Sequence, residues 1–389
     1  MDGFFNTLVY QLGEIVMRHH QRSLMLLLFF ISLGASAEPY KPLDRQEIVA
    51  RWDLGAANKE TSLPLQQRME KVAWHIEQGQ YAGQANKHYG RARALLSPLF
   101  DSAQSAQLST ENNISQSYTL YLWSRVLQHQ HQFVQAINYL NQSIELNPDN
   151  SAAILLKANV LLTQGKFAQS KQTCTQLIGK ADLLLTTACV LEVMANQDQL
   201  SASYVQLSQL LNQQSLLNSQ QKQEWLLQLA ADMALRLNKY QEAEQWLAMA
   251  LSNVSEGSGK LNLAQKPLSF IVLWADVQLS LRQTNPVLVQ LSYVVEQAGF
   301  KDDALLTRLS LAEKTTAKTK WQSLLTERIE LRLARQDKFH SADLARFYLD
   351  IVPNPEQALY WARINWQQAK LNDDKQLLDR ALMMQNIDS

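Results

Sequence analysis

Turn formers are scarce in this chain. Of 389 residues only 12 are glycine and 9 proline, too few to punctuate the many short strands of an all-β domain. Net charge is lacking too: 36 Lys and Arg stand against 36 Asp and Glu. A neutral chain has no general pull toward nucleic acid or an anionic membrane surface, so neither is expected as a partner. Beyond the N-terminal segment no apolar run approaches the ~20 residues of a membrane-spanning helix. The phosphate-binding G-x-x-x-x-G-K-[ST], the zinc-protease H-E-x-x-H and the nucleophile elbow G-x-S-x-G do not occur, and with them go the simplest routes to those chemistries. The two cysteines form no C-x-x-C pair, which argues against a redox or zinc motif.

The remaining polar clusters have bland readings. His129 and His131 flank Gln130; two histidines at i, i+2 on a helix point apart, and a solvated turn is expected. The runs EAEQ and LNDDK lack the ligand order of a calcium loop and read as solvated turns or faces. No catalytic residue, metal ligand or cofactor is expected, and the chain reads as a non-enzyme.

What is abundant is helix-forming and apolar. Leu, Ala and Gln dominate, all favourable in helices. Hydrophobic residues make up 46% and charged residues 19%, ample for a large core. The N-terminal segment carries Arg18, His19, His20 and Arg22, then an apolar run from Leu24 to Leu33, then Ala35-Ser36-Ala37. A basic start, a short apolar stretch and an A-x-A site make residues 1–37 a secretory signal, with Met17 at its natural beginning. The residue directly after the cleavage site is Glu38 and not cysteine, so a lipid anchor is not expected. The expected location is exported, periplasmic. In an oxidising compartment Cys174 and Cys189 have two open readings, a disulfide or a pair of buried thiols.

Repetition is the strongest signal. In FVQAINYLNQSIELNPDN, from Phe133 to Asn150, Phe133, Ala136, Ile137, Leu140 and Ile144 share one helical face, and Pro148 ends the helix. A preceding helix, SYTLYLWSRVLQHQ, would pack Leu120, Trp123, Ser124 and Leu127 against it. The plan returns at once in AILLKANVLLTQGKFAQSKQTC, with Ala158, Gly165, Phe167 and Ser170 in the matching places. Phe133 and Phe167 are one period of about 34 residues apart. A looser unit begins near Ala188, and a clearer one holds Ala231, Tyr240, Ala243 and Ala250. A degenerate hairpin precedes the array, sharing Gln-Gly-x-aromatic at Gln78 to Tyr81.

These units resemble the tetratricopeptide repeat, through the small residues Ser124, Ala136, Ala158 and Ala243, the aromatics Trp123, Phe133, Phe167 and Tyr240, the turn residue Gly165 and the closing Pro148. The resemblance implies an all-α fold, a right-handed α-solenoid of stacked helix-turn-helix units. The expected layout is a degenerate hairpin within 38–116, the array in 117–255, a break at 256–266 and divergent repeats with a C-terminal cap in 267–389. Scattered tryptophans such as Trp361 and Trp366 read as core.

Stacked hairpins line a concave face with their first helices. In the first clear unit Tyr118, Tyr121, Arg125 and Gln128 face that groove; in the next, Leu155 and Asn159; in the later clear unit, Trp225, Gln228 and Asp232. Aromatic and arginine side chains there are candidate hot spots for a partner. Some members of the family grip a peptide carboxylate with lysines and asparagines on this face; only Arg125 and Asn159 echo that set, and Tyr121 stands where its first lysine would be. The expected role is a protein–protein interaction scaffold, with an envelope-glycan-binding module as the alternative.

Overall fold

The computed structural model describes residues 61–101, 108–213, 220–252, 263–298 and 302–388. The signal-like segment and the EGSGK break (256–260) lie outside the described residues. Those described comprise seventeen α-helices and no strand.

The helices follow as hairpins. α1 (Leu65–Gln78) pairs with α2 (Ala85–Phe100), α3 (Asn113–His129) with α4 (Phe133–Leu146), and α5 (Ser151–Thr163) with α6 (Phe167–Thr175). Then come α7 (Leu183–Ala195) with α8 (Leu200–Asn212), and α9 (Gln220–Arg236) with α10 (Tyr240–Ser252). A short 3-10 turn, Leu263–Gln265, leads into α11 (Leu268–Ser280) and α12 (Thr284–Ala298). α13 (Asp303–Glu313) pairs with α14 (Lys320–Ala334). α15 (Ser341–Arg346, prolonged by a π turn, Phe347–Ile351), α16 (Pro355–Gln368) and α17 (Asn372–Asp388) complete the order. The chain is an all-α solenoid of stacked helical hairpins.

Small residues permit the stacking. Ala136, Ala243, Ala250 and Ser124 have no exposed surface, Ala158 has 2%, and Trp123 is buried beside them. The Ser124 hydroxyl donates back to the Leu120 carbonyl at 2.8 Å, so its burial leaves no orphan donor. The phenyl ring of Phe133 is half-buried, as are those of Phe167 and Tyr240. Within the first clear unit, Ser117 of α3 and Ser143 of α4 exchange hydroxyl-to-carbonyl bonds of 2.7 and 2.8 Å. Asn150 donates to the Ser117 hydroxyl at 3.0 Å while its carbonyl caps α5 at the Ala153 N–H. Trp361, with Ala358, is core in α16.

A shared turn marks the units more clearly than composition does. The left-handed residues His131, Gly165, Asn238, Arg282 and Gln336 follow α3, α5, α9, α11 and α14. In each case the next N–H reaches back to the carbonyl five residues earlier, at 2.8–3.0 Å, and the left-handed residue's own N–H to the carbonyl three earlier. This paired pattern is the Schellman motif, which satisfies carbonyls that a helix end would leave bare. The looser third unit departs from it. Its first helix begins at Leu183, ahead of Ala188, because Asp182 caps it through the Leu185 N–H at 2.8 Å, and no left-handed residue follows α7.

Cys174 of α6 and Cys189 of α7 are joined by a disulfide across 15 residues of sequence, which resolves the two open readings in favour of the bridge. Both sulfurs sit in a core cluster with Ile154, Ala158, Leu162, Leu177 and Val193, and Leu371 packs against that cluster from the far end of the chain.

That last contact belongs to a set that folds the array back on itself. The Lys370 N–H donates to the Thr163 carbonyl at 2.8 Å, the Asn372 N–H lies 3.4 Å from the Asn196 side-chain oxygen, and Asp373 lies 4.0 Å from Arg236. The Leu268 N–H donates to the Gln80 carbonyl at 2.8 Å. Two solvated-turn expectations are corrected here. His129 stacks on Tyr89 with centroids 3.7 Å apart, and His131 meets Phe339 and His340 at 6.0 and 5.3 Å. In LNDDK, Asp374 accepts from the Leu371 N–H at 3.0 Å and from Asn365 at 2.7 Å. EAEQ remains a partly solvated face, on which Glu242 accepts the Tyr204 hydroxyl at 2.5 Å and Glu244 accepts Gln278 at 3.0 Å. The groups that cover the histidines come from helices distant in sequence, while those that hold Asp374 come from its own turn and the end of α16.

Candidate functional site

The first helices of successive hairpins, α3, α5, α7 and α9, turn one face inward. Their inward side chains recur at helical spacing because each helix must also present a small-residue face to its neighbours. Three adjoining cavities lie along this surface. One of about 700 Å³ is bordered by Tyr118, Tyr121, Arg125, Trp225 and Gln228, with Gln80, Lys266 and Phe270 from the elements that fold over it. A second, of about 260 Å³, is bordered by Tyr121, Arg125, Gln128, Leu155, Asn159, Glu192 and Trp225. A third, of about 250 Å³, is bordered by Asn159, Glu192, Trp225, Gln228, Asp232, Arg236, Leu371 and Asp373. Trp225 borders all three.

The nine side chains expected to face the groove all border these cavities. Tyr118 and Tyr121 sit with ring centroids 6.1 Å apart. Gln128 donates to the Asn159 side-chain oxygen at 3.2 Å, tying the walls of adjacent units together. Arg125 hydrogen-bonds the hydroxyl of Tyr89, whose pKa is raised by burial against that pull. Burial, then the neighbouring Tyr121, raises Tyr118 as well.

The groove also contains residues the sequence reading did not single out: Glu192, Arg236, Leu371 and Asp373. Burial, reinforced by the charge of Asp232 and only partly offset by Arg236, pushes the Glu192 carboxyl up to about 7. Burial and the charge of Asp373 push Asp232 to about 6, with Arg236 opposing. Arg236 donates to Asp232 at 3.3 Å and to the Ala195 carbonyl at 2.6 Å. A signal for Glu192 exists: it is the single charged residue in LLLTTACVLEVMA. Leu371 and Asp373 had none, since nothing local links them to residues far upstream.

Residues 127–182 match the family model of the tetratricopeptide repeat. Over that stretch the chain is similar to tetratricopeptide repeats. The matched stretch runs from the end of α3 to the cap of α7. Among solved structures, a tetratricopeptide repeat protein from Parabacteroides merdae ATCC 43184 is similar at 14% identity and a TM-score of 0.40, over 68% of this chain and 98% of that one. The tetratricopeptide domain of P58(IPK) is similar at 12% identity and a TM-score of 0.22, over 82% of this chain and 99% of that one. No curated protein matches by sequence. Tetratricopeptide repeats imply a scaffold for protein–protein contact. Among the described residues no helix is long and apolar enough to cross a membrane.

Proposed function

We propose that this protein is an exported, non-enzymatic scaffold that holds a segment of a partner protein in its concave groove, in the periplasm. The observation that carries the reading is the convergence of nine side chains from three repeats on adjoining cavities. Tyrosines, a tryptophan and an arginine above an apolar floor are the side chains of a contact surface. Export is supported by the basic, apolar and A-x-A order of residues 18–37 and by the Cys174–Cys189 bridge, a bond that persists in oxidising compartments.

The test is photo-crosslinking in intact cells, with a photoreactive residue at Tyr121 and a control at Gln142, which is exposed on α4. A protein adduct at Tyr121, absent at Gln142 and recovered in the periplasmic extract, is expected. An adduct found only in the cytosol would remove the export reading. Carbohydrate in place of protein at Tyr121 would replace the scaffold reading with the envelope-glycan one, and equal adducts at both positions would remove the groove.

A further inference from the structure

Three histidines meet where the C-terminal part of the chain touches the first clear unit. His129 ends α3, His131 follows it in the turn to α4, and His340 lies in the turn between α14 and α15. The imidazoles of His131 and His340 meet edge to face with centroids 5.3 Å apart, and Phe339 flanks His131 at 6.0 Å. His129 feels the charge of both other histidines, and its ring lies flat on Tyr89 of α2 at 3.7 Å. The cluster thus joins α2, the α3–α4 turn and the α14–α15 turn, which are far apart in sequence.

The surroundings suit neutral rings. The Nδ1 of His131 is buried and has no hydrogen-bond partner. Protonated, it would be a buried donor without an acceptor, and it would carry charge. Gln368 of α16 hydrogen-bonds the same ring and favours the charged form, but burial and then His340 outweigh it and hold His131 below the ordinary histidine range. Burial, His340 and His131 hold His129 down to about 4.

The other charges nearby do not relieve the cluster. Arg93 on α2 donates to Gln130 at 2.5 Å, which adds positive charge beside the α3–α4 turn. Arg332 on α14 donates to the Phe339 carbonyl and pairs with Asp303 at 3.0 Å and Asp337 at 3.5 Å. The carboxylate that acts on His340 is Asp302, the cap of α13, with Asp343 of α15 beside it. α13 packs with α14 and α15. A charged His340 is therefore attracted to its own side of the contact and repelled from the side of His129 and His131.

We propose that His129, His131 and His340 form an acid-released latch, whose protonation parts the α14–α15 turn from the α3–α4 turn and loosens the C-terminal closure of the array. The latch names no ligand and stands apart from the groove reading. Its sign follows from the closed form. Rings held below 6.5 regain that value when the turns part, so the open form takes up protons and gains population as pH falls through 6.5 toward 4. The two other described histidines, His75 and His88, bond each other at 2.9 Å between α1 and α2, so their titration belongs to that hairpin.

The experiment is hydrogen exchange of the purified protein at about pH 7.5 and about pH 5, corrected for the pH dependence of intrinsic exchange. Amides in 129–133 and 336–342, and in the 163–166 turn that Lys370 holds, should lose protection at least about tenfold at the lower pH, while those of α10 and α12 do not. A variant with His129→Gln, His131→Asn and His340→Asn should show no such loss. Asparagine accepts the left-handed backbone found at 131 and 340. His340→Asn alone, at an exposed position, should shrink the loss without disturbing packing, and it decides the matter if thermal melts show the triple variant unfolded. Equal protection of the parent protein at both pH values would overturn the latch. So would an undiminished loss in His340→Asn or in a folded triple variant, or a loss spread evenly over every helix.

Discussion

A lone carboxylate in an apolar helix has a thermodynamic signature. Glu192 titrates near 7 in the fold against an ordinary 4.5, because burial and Asp232 both disfavour its charge. Between those values the folded state binds more protons than the unfolded one, so the linked stability is complete below about pH 4.5 and is lost as pH rises through 7. Glu192→Gln removes that penalty. Its stability gain over the parent protein should be about 1–2 kcal/mol near pH 8, after discounting for the water that enters the groove, and should vanish near pH 5. Urea melts at the two pH values check this, and a gain independent of pH would refute the assignment. His129 works in the opposite sense. Burial and the neighbouring His340 and His131 hold it down to about 4, so stability falls as pH drops below 6.5 in both proteins and cancels in their difference. The enclosure of Glu192 therefore costs the fold stability as pH rises past neutral.

At the scale of the element, the repeat is a backbone turn before it is a sequence motif. Five helices, four of them the first of a hairpin, end with a left-handed residue, yet only Gly165 adopts that conformation without strain. Arg282, at φ 60° and exposed, is held there by the two bonds of its turn. Arg282→Gly should stabilise by about 0.5–1 kcal/mol. Gly165→Ala should do the reverse by at least about 1 kcal/mol, since its φ is +70° and a new Cβ would stand 2.7 Å from the Lys370 Cβ. Urea midpoints at unchanged slope decide both, and a neutral Arg282→Gly would mean the turn carries no strain. The same turn explains what could be seen in the sequence. α4 was legible end to end, since Phe133 opens it and Asn147-Pro148 closes it. α3 starts at Asn113 rather than Ser117 because Asn112 caps it through the Ser115 N–H, a one-bond signal masked by polar neighbours. The left-handed residues of the turns after α9, α11 and α14 were hidden because asparagine, arginine and glutamine occupy the place where glycine announces itself. Groove positions such as Tyr121, Asn159 and Asp232 were legible from helical spacing alone; that they bind a partner rests on the crosslinking experiment.

An open repeat array would be stabilised only between neighbours, and its units would melt in sequence. This molecule departs from that limit. Residue 370 bonds to 163, 372 approaches 196, 373 approaches 236, and 340 meets 131. These separations have no local signature, which is why LNDDK and the histidine pair read as solvent-facing turns. The physical consequence is cooperativity: the C-terminal hairpin cannot leave without unbinding the middle of the array. Lys370→Pro tests this with one atom group, because proline removes the N–H that the Thr163 carbonyl receives. Ahead of it, Ala369 already has φ −124° and ψ 136°, a conformation that tolerates a following proline. The lost bond should release the α16–α17 turn, so amides at the α5–α6 turn and around Asn196 should exchange faster, while those of α1 and α2 do not change. The urea transition should also broaden, since a hairpin that detaches early breaks two-state unfolding. Unchanged exchange at both turns with an unchanged slope would mean the closure is incidental. If the closure holds, the same variant should also lower the yield of the protein adduct at Tyr121, because Leu371 and Asp373 would no longer wall the smallest cavity; one substitution at the far end of the chain would then couple the fold of the whole array to its groove.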